Sequence, residues 1–173
     1  MENSPDAIVL FFDEGRFGNQ PCLGKFWATK GVRPIVEVKI GYGNFYAYSA
    51  VCPSTGDDFT LFLPQVNTAM MNMFLEGFGA WLEGRRCILV MDQAGWHKSK
   101  ELQVPTNIEI VYLPAYSPEL NPVERLWDWL KRNTIRNSFF EGVEEVMDAV
   151  AEQLKEATTE LLKSMCACNY LLH

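Results

Sequence analysis

Two continuous apolar runs stand out in the hydrophobic pattern, and each is followed at once by an aspartate. Residues 8–12 (IVLFF) precede Asp13, and residues 87–91 (CILVM) precede Asp92. Uninterrupted apolar runs of this length, bounded by polar or glycine residues, are typical of strands buried on both faces. Open α/β sheets place ligand-binding groups just past the carboxyl ends of such strands. The pattern therefore predicts two central strands, each with an aspartate at its end.

The remaining pattern predicts one α/β domain over residues 1–173, with a mixed central sheet flanked by helices. Residues 14–31 are glycine-rich and are expected to be irregular. Apolar and charged residues alternate over 35–40, as in a half-exposed strand. Together with the β-rich runs 45–51 and 59–63, this segment predicts an antiparallel meander. A helix is expected from Asn67 to about Leu82, a strand over 108–112, and one amphipathic helix from Glu141 through Leu161.

The stretch 112–131 (YLPAYSPELNPVERLWDWLK) joins an irregular loop to a helix. Residues 113–120 hold two prolines and a serine, which favour a loop. Asn121 and Pro122 then suit the N-cap and the first helical position, and the helix is expected to run to about Arg136. Glu124 falls in the first turn. Its carboxylate suits either a capping box with Asn121 or a metal ligand.

Composition indicates a globular cytosolic protein. The chain has 173 residues and is 48% hydrophobic, enough for a sizeable core. No apolar run approaches the roughly 20 residues of a membrane span, and the acidic start lacks an apolar signal region. The five cysteines are an odd number without a Cys-x-x-Cys pair, which predicts reduced, mostly packed thiols.

The net charge of −7 argues against a free-standing nucleic-acid binder, because neutralising phosphates needs Lys and Arg. The charge is uneven, however. Residues 141–173 carry seven acids and two lysines (−5), whereas residues 1–140 carry 15 acids and 13 bases (−2). Divalent cations bound by three of those acids would make the first part of the chain slightly positive.

Several motifs in order resemble those of a known family. They are FFDEGRFG, the spacing Trp27…Gly31…Pro34, LPQVNT, VMDQAGWHKS and YLPAYSPELNPVERLWDWLK. Together they are similar to the catalytic domain of a DDE transposase, in the bacterial insertion-sequence branch of the mariner superfamily. This resemblance implies a ribonuclease-H-like fold and identifies Asp13, Asp92 and Glu124 as the catalytic triad. The family normally carries N-terminal helix-turn-helix modules, and because the given sequence starts directly at the first expected catalytic strand, that DNA-binding region is expected to be absent from it.

The resemblance also implies the chemistry. Three converging carboxylates repel one another unless cations neutralise them, and hard oxygen ligands suit Mg²⁺ or Mn²⁺. Two ions about 4 Å apart would activate water or a 3′-hydroxyl and stabilise the leaving oxygen. Asp13 and Asp92 would bridge or cap one ion each, and Glu124 would complete the second site. The expected reaction is phosphodiester hydrolysis and strand transfer on transposon-end and target DNA. The expected setting is a homodimer in the bacterial cytosol or nucleoid, with a separate helix-turn-helix protein or domain.

Further residues are weaker candidates. His97 resembles a histidine near the family's site and suits a phosphate contact or the orientation of a carboxylate, but packing beside Trp96 is equally compatible. Asp128 suits an accessory ligand or a salt bridge with Arg132. Glu14, next to Asp13 on a strand, is expected to face away from the site. A DNA path or a solvated face is expected for Lys98, Lys100, Arg125, Lys131 and Arg132.

Two other functions remain open at this point. The chain suits an inactive or regulatory remnant that dimerises with a full-length transposase and inhibits it, although such a remnant has no reason to keep all three acids. It also suits a structure-selective repair nuclease of the same fold, against which the loop YSPELNP argues weakly.

Overall fold

A mixed sheet forms the centre of the protein, and the described residues contribute five strands to it. The computed structural model describes residues 7–20, 43–136 and 138–168. The strands lie in the order β3-β2-β1-β4-β5. Their bounds are β1 Ile8–Gly18, β2 Asn44–Val51, β3 Asp58–Leu63, β4 Cys87–Met91 and β5 Ile108–Tyr112. β1, β2 and β3 pair antiparallel, and β4 is parallel to both β1 and β5. The mixed sheet predicted from the sequence is confirmed.

Helices cover both faces of the sheet, so the two apolar runs are buried from both sides as predicted. The helices are α1 Thr68–Trp81, α2 Val123–Leu130, α3 Val143–Lys155 and α4 Thr159–Met165. Leu10, Phe12 and Leu89 pack on the α1 face, whereas Phe11 and Val90 pack towards α2 and α3. Two 3₁₀ turns (Gly95–Lys98 and Pro118–Leu120) and a π-helical turn (Lys131–Ile135) complete the fold.

β1 is longer than the sequence predicted. The glycines after Asp13 suggest an irregular segment, but the strand continues to Gly18 because β2 pairs with it over its whole second half, from Phe11 opposite Val51 to Gly18 opposite Asn44. The parallel register with β4 ends at Phe11 opposite Val90. Asp13 therefore lies just past the end of the parallel pairing, in the middle of a strand rather than at its end.

The predicted helix from Glu141 through Leu161 is two helices. α3 ends at Lys155, and α4 begins after Thr158, whose hydroxyl accepts a hydrogen bond from the Leu161 backbone N–H at 3.2 Å. A threonine cap of this kind offers the backbone an alternative to a continuous helix. The apolar periodicity correctly indicated helix on both sides of residues 156–158, but it runs on through them and so does not reveal the break.

Some predictions lie outside the described residues. These are the strand over 35–40, Cys22, and all but the start of the glycine-rich segment. The four described cysteines are buried thiols, as predicted. Within the described part of the chain, no helix has the length and apolar character needed to cross a membrane.

Candidate active site

The three predicted carboxylates line one cavity, although they come from distant parts of the chain. Asp13 comes from β1, Asp92 follows β4, and Glu124 lies in the first turn of α2. The cavity is open and has a volume of about 460 Å³. Its other wall is the loop 113–118. The fold thus brings together the side chains that the sequence predicted as a triad.

Asp13 is held against α2 in a strongly perturbed environment. The buried indole of Trp127 donates a hydrogen bond from Nε1 to Asp13 Oδ2 at 2.8 Å. Burial and then the nearby negative charge of Glu124 raise the pKa of Asp13 to about 7, and the Trp127 hydrogen bond only partly opposes them. A buried acid whose pKa is raised by a neighbouring acid in a cavity is typical of functional sites.

A glycine allows Trp127 to reach the strand. A Cβ added at Gly15 would lie 2.6 Å from Cδ2 and 2.8 Å from Cε3 of the Trp127 ring. No real Cβ approaches ring atoms so closely. Gly15 therefore lets the indole lie flat enough on β1 to reach Asp13, two residues away on the same face.

Asn121 fixes the start of α2 relative to Asp13. Its buried side chain donates from Nδ2 to the Phe12 carbonyl at 2.8 Å, and its Oδ1 accepts from the Val123 backbone N–H at 3.2 Å. Asn121 thus caps the helix, as predicted, although the helix proper begins at Val123, one residue later than expected. The Asn121 backbone N–H donates to the Pro118 carbonyl, so it does not complete a capping box with Glu124. The exposed Glu124 carboxylate lines the cavity instead.

Asp92 is oriented by a histidine that is itself held by a buried acid. Asp92 Oδ1 accepts from the Ala94 backbone N–H at 3.0 Å and lies 2.7 Å from His97 Nδ1. On the other side of the ring, His97 Nε2 lies 2.9 Å from Glu14 Oε1, which also accepts from Trp96 Nε1 at 2.9 Å. His97 is 1% exposed. Burial alone would lower its pKa, but the hydrogen bond and charge of Glu14, together with Asp92, exceed that effect and raise the pKa of His97.

This chain of contacts answers one question left open by the sequence. Of the roles open to His97, orientation of a carboxylate has direct geometric support, and the ring also packs edge-on against Phe12 and Trp96. Glu14 does face away from Asp13, as strand alternation requires. Its carboxylate nevertheless reaches the site through His97, because the 3₁₀ turn Gly95–Lys98 folds back beneath the end of β4.

The donor set fits a hard divalent cation that keeps several waters. Among residues 7–20, 43–136 and 138–168, no group of three or more His, Cys, Asp or Glu side chains is placed to hold a metal ion without other ligands. Mg²⁺ is usually bound through one or two carboxylates, waters and substrate phosphates rather than by an all-protein cage. Ala94 and His97 contact the Asp92 carboxylate at Oδ1, and Trp127 donates to Asp13 at Oδ2. Both carboxylates also line the open cavity, where a cation can reach them.

The weaker candidates lie at different distances from the cavity. The Lys98 ammonium contacts the Gln93 side-chain oxygen and lies over the Tyr112 ring, beside the cavity wall. Lys100 is exposed, two residues further along the chain. Asp128 is exposed one turn after Glu124, outside the set of described residues that line the cavity. Arg132 donates from Nε to the Asp128 backbone carbonyl at 3.1 Å, a contact different from the predicted salt bridge.

Two other candidate DNA contacts have structural partners. Arg125 donates from Nη1 to the backbone carbonyls of Met165 and Ala167, at 3.0 and 2.8 Å, and so ties α2 to the end of α4. Lys131 lies over the Phe17 ring, with its nitrogen 5.8 Å from the ring centre.

A family model and curated relatives match the chain. The model, described as a DDE superfamily endonuclease, matches residues 8–147. An uncharacterised protein of Sinorhizobium fredii (strain NBRC 101917 / NGR234), y4pE/y4sA, is 39% identical over 103 residues, which is 59% of this chain and 76% of that protein. An uncharacterised 39 kDa protein of insertion element IS630 from Shigella sonnei is 28% identical over 141 residues, covering 79% of this chain and 41% of the relative.

Solved structures of Mos1 share the fold. The Mos1 strand transfer complex superposes with a TM-score of 0.70 at 19% identity, over 95% of this chain and 52% of the Mos1 chain. The Mos1 mariner paired-end complexes with Mn and with Mg give TM-scores of 0.71 and 0.67, at 18% and 19% identity, each over 51% of the Mos1 chain. The ribonuclease-H-like fold expected from the sequence is thereby confirmed. The chain spans about half the length of these Mos1 chains.

Proposed function

Since the chain belongs to the DDE superfamily of endonucleases, we propose that it catalyses metal-dependent phosphodiester hydrolysis and DNA strand transfer at transposon ends. One observation carries the proposal: Asp13, Asp92 and Glu124, separated by up to 111 positions in sequence, line a single open cavity. The raised pKa of Asp13 supports it, because burial beside a second acid costs stability that a structural role would not require.

The roles of the three acids follow from their surroundings. Asp13, Asp92 and Glu124 would hold Mg²⁺ or Mn²⁺, and two ions fit the number of carboxylates. Bound divalent ions would activate the attacking water or 3′-hydroxyl and stabilise the leaving oxygen. Trp127 fixes the rotamer of Asp13 through Oδ2, and His97 fixes that of Asp92 through Oδ1. Glu124 is exposed at the cavity, so it would share a bound cation with the incoming DNA phosphates.

The second layer of the site acts by orientation. The Glu14 carboxylate accepts hydrogen bonds from two rings at once, which sets the plane of His97 and keeps its Nδ1 on Asp92. Outer partners of this kind commonly change metal affinity by about 10- to 100-fold when removed. Glu14 and His97 are therefore positioning residues in this proposal.

The proposed partners are DNA, a second copy of the chain and a separate recognition module. One Mos1 structure is a transposase paired-end complex with the left transposon end, and pairing of two ends supports a homodimer here. Because the chain has a net charge of −7, sequence-specific DNA binding would come from a separate helix-turn-helix module. The exposed Lys98 and Lys100 and the basic side chains of the π-helical turn, Lys131 and Arg132, would follow the DNA backbone. We expect the protein to act in the bacterial cytosol.

Strand transfer provides the direct functional test. The substrate is a linear duplex that carries the element's terminal repeat with a free 3′-hydroxyl, mixed with supercoiled target plasmid and Mn²⁺, with and without the candidate recognition module. Wild type should join the 3′-end to the plasmid, and Asp92→Asn and Glu124→Gln should lower the rate by at least about 100-fold.

The matched control for the test is Asp128→Asn, because Asp128 is an exposed acid on the same helix as Glu124, outside the cavity. Its rate should stay within about twofold of wild type. Joining by wild type that survives removal of either triad acid would refute the proposed site. A folded wild type that binds the end but never cleaves or joins DNA would instead favour the regulatory remnant.

A further inference from the structure

One side chain at the mouth of the cavity is exposed to an unusual degree. Tyr116 has a relative exposure of 101%, whereas the next most exposed large hydrophobic residues among those described, Met73 and Phe139, are 52% and 50% exposed. Tyr116 also lines the cavity that contains the triad. A tyrosine without protein neighbours gains nothing for the fold, so its position calls for a partner outside the chain.

The backbone at Tyr116 is held in a costly conformation. Its φ of 59° lies in the left-handed region, which bulky side chains rarely adopt. Of the non-glycine residues described, Glu83 alone shares a positive φ, and it sits in a turn just before Gly84. Such strain persists only where the surrounding structure enforces it, and it concentrates at functional sites.

The surrounding loop enforces this conformation from both ends. On the β4 side, the Leu113 backbone N–H donates to the Met91 carbonyl at 2.8 Å, and Gln93 Nε2 donates to the Leu113 carbonyl at 2.8 Å. On the α2 side, the Asn121 backbone N–H donates to the Pro118 carbonyl at 2.9 Å. Proline stiffens both flanks. The ring is thus presented to solvent by a braced loop.

The cavity has two chemically different walls. One wall carries the three acids, and the other is the loop that carries Tyr116, with the uncharged residues Leu113, Pro114, Ala115 and Pro118. A nucleotide has the same division, with an anionic phosphate that would meet metal-loaded carboxylates and a flat base that would meet an apolar, aromatic surface. Base–aromatic stacking is tolerant of sequence because every base has a π-face.

We propose that Tyr116 is a base-stacking subsite, which receives the unpaired base next to the phosphate that is cut or joined. This proposal rests on the proposed function, since it takes the nucleotide's orientation from the triad. Tyr116 holds the terminal nucleotide in line with the acids and makes no covalent contribution. Its phenolic hydroxyl is dispensable, whereas its ring is not.

The test uses a fluorescent base whose emission falls on stacking. The probe is a single-stranded oligothymidylate with 2-aminopurine at its 3′-terminal position, titrated with protein in Mg²⁺. Three variants are compared with wild type: Tyr116→Phe keeps the ring, Tyr116→Ala removes it, and Tyr116→Gly removes it while fitting the positive φ without strain. Thermal unfolding midpoints are recorded for all four proteins.

Wild type and Tyr116→Phe should quench the probe with affinities within about twofold of each other. Tyr116→Ala and Tyr116→Gly should bind about 5- to 150-fold more weakly, as expected for loss of one stacked base. The glycine variant should unfold within a few degrees of wild type, so misfolding would not account for its loss. Equal quenching by all four proteins, or no quenching by wild type, would overturn the proposal.

The outcome is separable from that of the proposed function. Mn²⁺ binding by wild type and its loss in Asp92→Ala depend on the acids and not on Tyr116. Intact metal binding with no role for Tyr116 would remove the subsite and leave the function in place. Quenching that depends on Tyr116, in a protein whose Mn²⁺ binding does not depend on Asp92, would instead support the stacking subsite and remove the proposed metal site.

Discussion

Replacing Asp13 with asparagine should make the metal-free protein more stable. The ionised Asp13 carboxylate is unfavourable in the folded state, because burial and the charge of Glu124 raise its pKa from an ordinary 3.8 to about 7. Each factor of ten in proton affinity is worth about 1.4 kcal/mol. Above pH 7 the penalty therefore approaches about 4 kcal/mol. Asparagine removes the charge and keeps an oxygen that accepts from Trp127.

The sign of the pH dependence follows from the same values. The folded-state pKa lies above the unfolded one, so the charged group lowers wild-type stability as the pH rises from about 4 towards 7. The advantage of Asp13→Asn should thus be small at pH 4 and should reach a plateau above pH 7. If structural relaxation and water penetration halve the full penalty, Asp13→Asn gains about 2 kcal/mol in the free energy of unfolding at pH 8. This corresponds to about 4–8 °C in the unfolding midpoint.

The assay is thermal unfolding by circular dichroism in EDTA, at pH 4, 5, 6, 7 and 8. Asp128→Asn is the matched control, since that exposed acid should change the midpoint by less than about 1 °C. Added Mn²⁺ should raise the midpoint of wild type and leave that of Asp13→Asn almost unchanged. A variant that is equal to or less stable than wild type at pH 8 would refute the reasoning.

Three further predictions concern the supports of the site. Gly15→Ala should push the indole off Asp13, destabilise the fold by about 1–3 kcal/mol and weaken Mn²⁺ binding. In the control Gly95→Ala, the added Cβ would meet no atom within 4 Å, so stability should not change. Equal losses of stability for the two variants in chemical denaturation would contradict the steric argument. His97→Ala should weaken Mn²⁺ binding by about 10- to 100-fold in calorimetry, because His97 orients Asp92. Unchanged affinity would show that Asp92 needs no such support. Arg125→Ala should raise the rate of amide hydrogen exchange at the end of α4, and its strand-transfer rate should stay within about threefold of wild type. A selective loss of DNA joining with unchanged hydrogen exchange would instead show that Arg125 contacts DNA.

The sequence predicted the sheet and the three acids because local patterns carry that information. Two apolar runs ending in aspartate indicate buried strands, and Asn121-Pro122 followed by Glu124 indicates a helix start. Both signals survive in the structure with boundary changes of a residue or so. What failed was the part of β1 after Asp13, since glycines there indicate a loop and only pairing with β2 makes it a strand.

The resemblance indicated His97, but the contacts of the supporting residues could not be predicted because they depend on long-range packing. Strand alternation correctly places Glu14 on the face opposite Asp13, but no local pattern shows that His97 folds beneath β4 to connect Glu14 with Asp92. The contact between Trp127 and Asp13 spans 114 positions. An apolar stripe on a helix does not say which ring will reach a carboxylate.

The central claim is that the three acids hold divalent cations for work on DNA, and calorimetric titration with Mn²⁺ tests it most directly. Wild type, Asp92→Ala and the control Asp128→Asn are titrated with and without a short duplex whose phosphates can complete the coordination. The account predicts binding by wild type and by Asp128→Asn that Asp92→Ala abolishes. Binding that persists unchanged in Asp92→Ala would place the ions elsewhere and contradict the assignment of the site.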